Sequence, residues 1–515
     1  MKEAVEKLTC LIKEGNLNNL NNFFEHLPKN DVQEIVNGTI FIENAEENTK
    51  LESTFLILAA QVGNFQIIKL FVDEYNANVD IKGAVSIANQ IIEEVTPLWV
   101  AAEVGTWQIV EFLLDKGANV NAMTKEKSTP LLVACSNGYL EIVKLLVDRR
   151  ANLGLVNDRG NNCLMFASWN GHLETVKFLV QSGVDVNVKN QNNQNATALH
   201  LATQNAQLEI VKFLVESGAD INFKSSLGAN VIYFAAEIGD LETLEFLFQS
   251  GADINCQKND GWNALHVAAH DGHLETIRFL VRSGVDINSK GKNGWTALNI
   301  AANKGHLELV NYLLQSGADV NSNITGDGST SLHVAAENGH LETIKFLVQS
   351  GGVDVNSNNN DEWNALHFAA QYGHLETVKF LVASGVEINS KNNQGVTALL
   401  LAALDGHLET VKFLVQSGAD FKSKGKNGWT ALHLAADKGH LETVKYLVQS
   451  GADINSKGKN DWTALHFASE RGRLEIVKFL IQSGADVNST TTNGKTALQI
   501  AVRNGHTHVA DFLRR

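Results

Sequence analysis

Proline, cysteine, long apolar runs and positive charge are all scarce in this 515-residue chain. Its three prolines, Pro28, Pro97 and Pro130, leave helices almost unopposed by breakers. The four cysteines, Cys10, Cys135, Cys163 and Cys256, are far apart and form no CxxC. That excludes a disulfide framework or a zinc knuckle and fits a reducing compartment. No apolar run approaches the roughly 18 residues that a membrane span needs. Glu3, Glu6 and Glu14 interrupt the N-terminal stretch MKEAVEKLTCLIKEG, so it does not read as a secretory signal. Lys and Arg total 42 against 57 Asp and Glu, a net charge of −15, which repels phosphate backbones and demotes nucleic acid as a partner. With 44% hydrophobic and 19% charged residues, the composition is nonetheless that of a folded chain. The length calls for several domains or one elongated array.

What is present in abundance is repetition. A block of the form TALHLAA recurs, and its first residue marks each copy: Thr54, Thr96, Thr129, Asn162, Thr197, Asn230, Asn263, Thr296, Thr330, Asn364, Thr397, Thr430, Thr463 and Thr496. These fourteen markers stand 33 to 35 residues apart from Thr96 onward, and the first step is 42. About nine extra residues therefore lie between Thr54 and Thr96.

Each repeat predicts two helices. Thr and Asn cap helix N-termini by accepting a backbone N–H, and every marker is one or the other. Five residues after each marker stands Ala, which suggests close approach of helices at that point. Nine residues after it stands Gly in thirteen repeats, with Ala206 the exception, to end the first helix and turn the chain. A second helix follows, as in HLETVKFLVQSG. In the copy at His374–Gly385, Leu375, Val378, Leu381 and Val382 share one face, Glu376 and Lys379 pair on the wet face, and Gly385 ends the helix. The polar connector, such as GVDINSKGKNGW from Gly284 to Trp295, carries the hairpin signals Asn293-Gly294, Asn427-Gly428 and Asp260-Gly261. Helix, turn, helix and hairpin finger make one unit that cannot bury both faces alone, so neighbours must stack into a solenoid.

This pattern resembles the ankyrin-repeat family. TALHLAADKGHLETVKYLVQSGADINSKGKNDW, from Thr430 to Trp462, follows the family pattern nearly throughout. The resemblance implies an all-α fold, an ankyrin-repeat solenoid of helix-turn-helix-hairpin units stacked into a curved superhelix. We expect residues 54–515 to form fourteen repeats in one continuous solenoid. Residues 1–53 read as a degenerate capping repeat and linker, because LIKEGNLNNLNNFF (Leu11 to Phe24) keeps the glycine and the second-helix apolar spacing. The departures cluster early. Arg150 takes a Gly cap position, where positive φ costs roughly 1 kcal/mol, and the Thr197 repeat has QNAQ in place of xxGH. Repeats from Asn263 onward are near copies.

Seventeen histidines invite a metal site. Pairs such as His266/His273, His333/His340, His367/His374 and His433/His440 are seven apart, placing one at the start of each helix. There is no HExxH and no His/Cys cluster, so core and cap histidines are expected and no metal or other cofactor is called for. Gly494-Lys495-Thr496 echoes a phosphate loop, but Ser489 stands where its first glycine is needed. No GxSxG occurs, and the repeats leave no room for a catalytic domain, so the chain does not read as an enzyme and no small-molecule substrate is expected. Cys135 falls on a core position of its helix.

Binding residues are sought where copies differ. The residue before the marker is Trp in five repeats: Trp262, Trp295, Trp363, Trp429 and Trp462. The resemblance places it at the finger base beside the concave groove, where it either braces the next finger or anchors a partner. The pair at the end of the first helix faces the same groove: His270/Asp271, Asn303/Lys304, Glu337/Asn338, Gln371/Tyr372, Leu404/Asp405, Asp437/Lys438 and Glu470/Arg471. Lysines gather at the finger tips Lys290/Lys292, Lys424/Lys426 and Lys457/Lys459, as solvated loops or as contacts to an acidic partner.

The function implied is a non-enzymatic scaffold that binds another protein in the cytoplasm. With stacked helices about 8–10 Å apart, fourteen units would give a groove on the order of 100 Å. Abundant Asn and an excess of Lys over Arg, 32 to 10, resemble the ankyrin effectors that intracellular bacteria deliver into host cells. The alternatives are a substrate-recruiting adaptor of a ubiquitin ligase, or the repeat region of a larger toxin or enzyme.

Overall fold

A computed structural model describes residues 2–44, 49–88, 90–192 and 194–515. It divides into two compact bodies, Met1–Asn259 and Asp260–Arg515. The first holds the repeats marked Thr54 to Asn230 and the second those marked Asn263 to Thr496.

Both bodies are built from the predicted helix pairs. The repeat at Thr430 has an inner helix Ala431–Lys438 and an outer helix Leu441–Gln449. Within each body, successive inner helices pack side by side, and each inner helix packs on its own outer helix. All fourteen alanines five residues after the markers, from Ala59 to Ala501, are fully buried. A larger side chain there would separate two helix backbones, which is why only Ala occurs. The marker side chains cap as expected: Asn162 Oδ1 accepts from Met165 N at 2.9 Å and Thr129 Oγ1 from Leu132 N at 3.2 Å. Arg150 and Ala206 both take the left-handed conformation at the glycine positions they occupy, with φ +65° and +54°.

The N-terminal body adds elements of its own. α1 (Lys2–Lys13) and α2 (Leu17–Glu25) are joined through Gly15, and α1 lies against the inner helix Phe55–Val62. α3 (Lys29–Val36) leads into the antiparallel strands β1 (Thr39–Asn44) and β2 (Thr49–Thr54). The extra residues between Thr54 and Thr96 lengthen a finger into a second hairpin, β3 (Gly83–Ile87) with β4 (Gln90–Val95). Gly83 is required where β3 approaches β2, because a β-carbon there would stand 3.0 Å from Ser53 Cα. Apart from these two hairpins and isolated bridge residues, the regular secondary structure of the described residues is helical.

Three sets of side chains tie neighbouring repeats together. The motif histidines are buried between an inner helix and the next finger. His433 Nδ1 accepts from Thr430 N at 3.1 Å, and its Nε2 donates to Ser456 O and Trp462 O at 2.9 and 3.1 Å. Burial pushes the pKa of His200, His367 and His433 down to about 4 and lowers those of His266, His333 and His466, so all six are neutral donor–acceptors near pH 7. The second histidines correct the sequence expectation. His306, His340, His374, His407 and His440 do not cap the helices they precede. They reach back one repeat, and Nε2 donates to the inner-helix carbonyls of His270, Asn303, Glu337, Gln371 and Leu404 at 2.8–3.2 Å. The third set is the Asn of the GADIN segment, whose Oδ1 accepts from the backbone of the following finger. Asn389 takes Asp420 N and Asn455 takes Asp486 N, both at 2.8 Å.

Candidate protein-binding groove

The candidate surface in the C-terminal body lies where the inner-helix ends meet the fingers. At Trp295, Trp429 and Trp462 the backbone closes its own finger. Gly291 N donates to Trp295 O at 2.8 Å, Gly425 N to Trp429 O at 3.1 Å and Gly458 N to Trp462 O at 2.8 Å. The five indoles are half-buried. Trp262 leans on His266 and His270 at 5.9 and 6.2 Å, Trp363 on His367 and Phe368 at 5.8 and 5.0 Å, and Trp462 on His466 and Phe467 at 6.0 and 4.9 Å. Trp429 meets Phe467 edge-on at 4.8 Å. It also runs under the next finger, where a β-carbon on Gly458 would stand 2.8 Å from its Cδ1. One side of the Trp262, Trp363, Trp429 and Trp462 rings therefore carries packing, and what faces outward is the remainder.

The inner-helix pairs divide into exposed and engaged residues. Tyr372 is 49% exposed, stacks on His374 at 6.3 Å and donates to Glu337 Oε1 at 3.3 Å. His270 and Asp271 are exposed and joined, Nδ1 to Oδ1, at 2.7 Å. Gln371, Leu404 and Glu470 are half-buried, and their carbonyls receive the second histidines His407, His440 and His506. Asp437 is buried, with its carboxylate 2.7 Å from Arg471 Nε across two repeats. That ion pair raises the Arg471 pKa and occupies both groups. The Lys424 ammonium, one of the finger-tip cations, donates to Lys457 O at 2.8 Å.

Sequence reasoning passed over the same frame positions in the N-terminal body. Val62, Val104 and Trp169, at inner-helix ends, are 40%, 38% and 44% exposed. Their signal was available, because each occupies the position of a singled-out residue such as Tyr372 or His270. A further feature had no sequence signal: a cavity of about 1130 Å³ bounded by α1, α2, α3 and β1 and walled by Phe23, Leu27, Ile35, Ile40 and Phe55. Among the described residues no three His, Cys, Asp or Glu side chains stand together as metal ligands. Cys135 and Cys163 are buried in contact with each other, and burial pushes the Cys135 thiol well up, away from reactivity.

The sequence patterns that define ankyrin repeats match this chain in an overlapping series from residue 24 to 225 and from 232 to 515, and a second ankyrin pattern covers 205–248. The chain belongs to the ankyrin-repeat family, whose repeats mediate binding to other proteins. It is also similar to a fem-1 homologue of Drosophila melanogaster, 37% identical over 76 residues. That stretch is 15% of this chain and 11% of the fly protein, so the chain spans about a tenth of the length of that relative.

Proposed function

We propose that this chain is a non-enzymatic scaffold that holds another protein against the inner-helix and finger face. The principal surface is assigned to the repeats marked Asn263 to Thr463. The observation that carries this is a contrast within each repeat. The alanine behind the face is fully buried in every copy, whereas the residues at the end of the same helix change from His270/Asp271 to Tyr372 to Glu470/Arg471. A packing position resists change; a surface that differs from copy to copy while the core is copied is one available for recognition. Residues 1–53 then serve as a capping repeat and linker for the fourteen repeats that follow, taken as one continuous array.

The partner is a protein and not nucleic acid, in keeping with the net charge of −15. No described helix is long and apolar enough to cross a membrane. A cytoplasmic location and delivery into a host cell rest on the composition, and the similarity to an insect protein does not bear on them.

Photo-cross-linking tests the reading. A photoreactive residue at Tyr372 or Asp271 should capture partner protein, and one at Glu376 on the outer helix should not. Capture only from the outer helix would overturn the assignment. Trp429→Ala combined with Trp462→Ala should weaken binding by about 2 kcal/mol or more, the size of an interface hot spot.

A further inference from the structure

The groove contains one cleft whose chemistry points to a particular kind of partner segment. It measures about 350 Å³ and lies between Trp262 and Trp295. Its walls include Trp262, Trp295 and Ile300; its polar lining residues are His270, Asn293, Asn303, Lys292 and Lys304. No carboxylate lines it. The nearest acidic neighbour in sequence, Asp271, is already engaged by His270 Nδ1 at 2.7 Å.

The two lysines differ from the five outer-helix lysines of this body that are already paired. Lys345, Lys379, Lys412, Lys445 and Lys478 each hold a Glu three residues earlier at 2.7–2.8 Å. Lys292 and Lys304 are exposed, and among the described residues neither has a carboxylate within 4.0 Å. Asn303 Oδ1 is taken by Asn338 Nδ2 at 2.9 Å, which leaves the Asn303 amide N–H groups to donate. Two unneutralised cations and a free amide donor beside apolar walls form a binding site for a negative group attached to an apolar one. The volume suits one or two side chains and excludes a folded element.

We propose that this cleft receives an acidic side chain of an extended partner peptide, with a neighbouring apolar side chain on the indoles. The carboxylate is held by Lys292 and Lys304 through charge-assisted hydrogen bonds, which are stronger than neutral ones. The inference rests on the groove reading above and adds the chemistry of the partner.

The test uses the full chain and two short capped peptides, one alternating glutamate with leucine and one alternating glutamine with leucine, followed by tryptophan fluorescence at low salt. The glutamate peptide should bind more tightly by about tenfold or more, in the range of a close charge pair. In Lys292→Gln combined with Lys304→Gln, that preference should vanish with the melting curve unchanged. The control pair Lys379→Gln and Lys412→Gln should keep it. Failure of the glutamate peptide to bind, equal binding of the two peptides, a preference that survives in the Lys292/Lys304 variant, or tighter binding of an oligodeoxythymidine would each overturn the proposal. The groove reading fails separately: a partner that still cross-links at Tyr372 while the glutamate peptide shows no preference sinks only the cleft, whereas loss of cross-linking at both Tyr372 and Asp271 sinks the groove.

Discussion

A β-carbon on Gly339 would stand 2.5 Å from Nδ1 of His374, a residue of the next repeat, and the Nε2 of that ring lies 2.9 Å from Glu337 O. The glycine ends its helix at φ +70° and leaves the space in which the neighbour's imidazole reaches the helix end. Gly339→Ala therefore acts twice, through backbone strain and through displacement of the ring. Urea unfolding should show a loss of about 1–3 kcal/mol. His374→Ala, which removes only the hydrogen bond and the ring packing, should cost about 1 kcal/mol. An alanine variant as stable as the parent would count against the strap.

The motif histidines make stability depend on pH. Their pKa values in the folded chain lie below the unfolded value, about 4 for His200, His367 and His433. Between pH 6.5 and 4 the unfolded chain binds more protons, so stability is fully present above about pH 6.5 and falls as the pH drops toward 4. The slope is at most about 1.4 kcal/mol per pH unit for each fully titrating histidine. The Thr296 repeat suggests how to remove one of them. There Asn299 replaces the histidine, accepting from Thr296 N at 3.1 Å and donating to Ser322 O at 3.3 Å. His433→Asn should stay folded at pH 7 and flatten the acid slope; an unchanged slope would exclude His433 as a contributor.

In the Thr397 repeat a lysine takes the place of the strap asparagine. Lys422 stands at the frame position of Asn389 and Asn455, and Asp453 N has no hydrogen-bond acceptor there equivalent to the one Asp420 N finds in Asn389. Lys422→Asn should supply it and raise stability by about 0.5–1.5 kcal/mol, the net worth of a hydrogen bond. No gain in the denaturation midpoint would show that the strap adds nothing at this joint.

Trp429 and Tyr372 should separate bracing from recognition. Trp429 packs on Phe467 and under the finger at Gly458, with its indole N–H buried and without an acceptor. Trp429→Ala should lower the melting temperature by several degrees, a cost of roughly 1–3 kcal/mol for a half-buried ring. Tyr372→Ala removes a ring that is 49% exposed and should leave melting unchanged while weakening partner binding. If both variants melt like the parent, the bracing account fails.

Local opening should be uneven. Arg150 and Ala206 hold positive φ without being glycine, and Gln194 and Asn195 do so in the finger before Thr197. Repeat stability is a sum of local and neighbour terms, so amide exchange should be faster across residues 54–230 than across 263–480. Uniform protection would contradict this.

The helix pairs, their caps and their glycine stops were legible because each depends on neighbours within one turn of chain. Thr430, Ala435 and Gly439 state where a helix begins, packs and ends. The surplus before Thr96 was legible as an excess, but its folding into β3 and β4 was not, since strand pairing depends on what the finger lies against. The roles of the second histidines and of the GADIN asparagines were hidden for the same reason. Each bonds to a residue about 31–37 positions away, and nothing adjacent in sequence marks the partner.

By itself the sequence determined the period, the helices and the face on which copies differ, because fixed spacing and capping chemistry are local. Only the tertiary structure decided which residues on that face are free. It joined Asp437 to Arg471, set Trp429 under Gly458 and left Lys292 and Lys304 without a counter-charge, because burial and pairing belong to neighbouring repeats and not to any one of them.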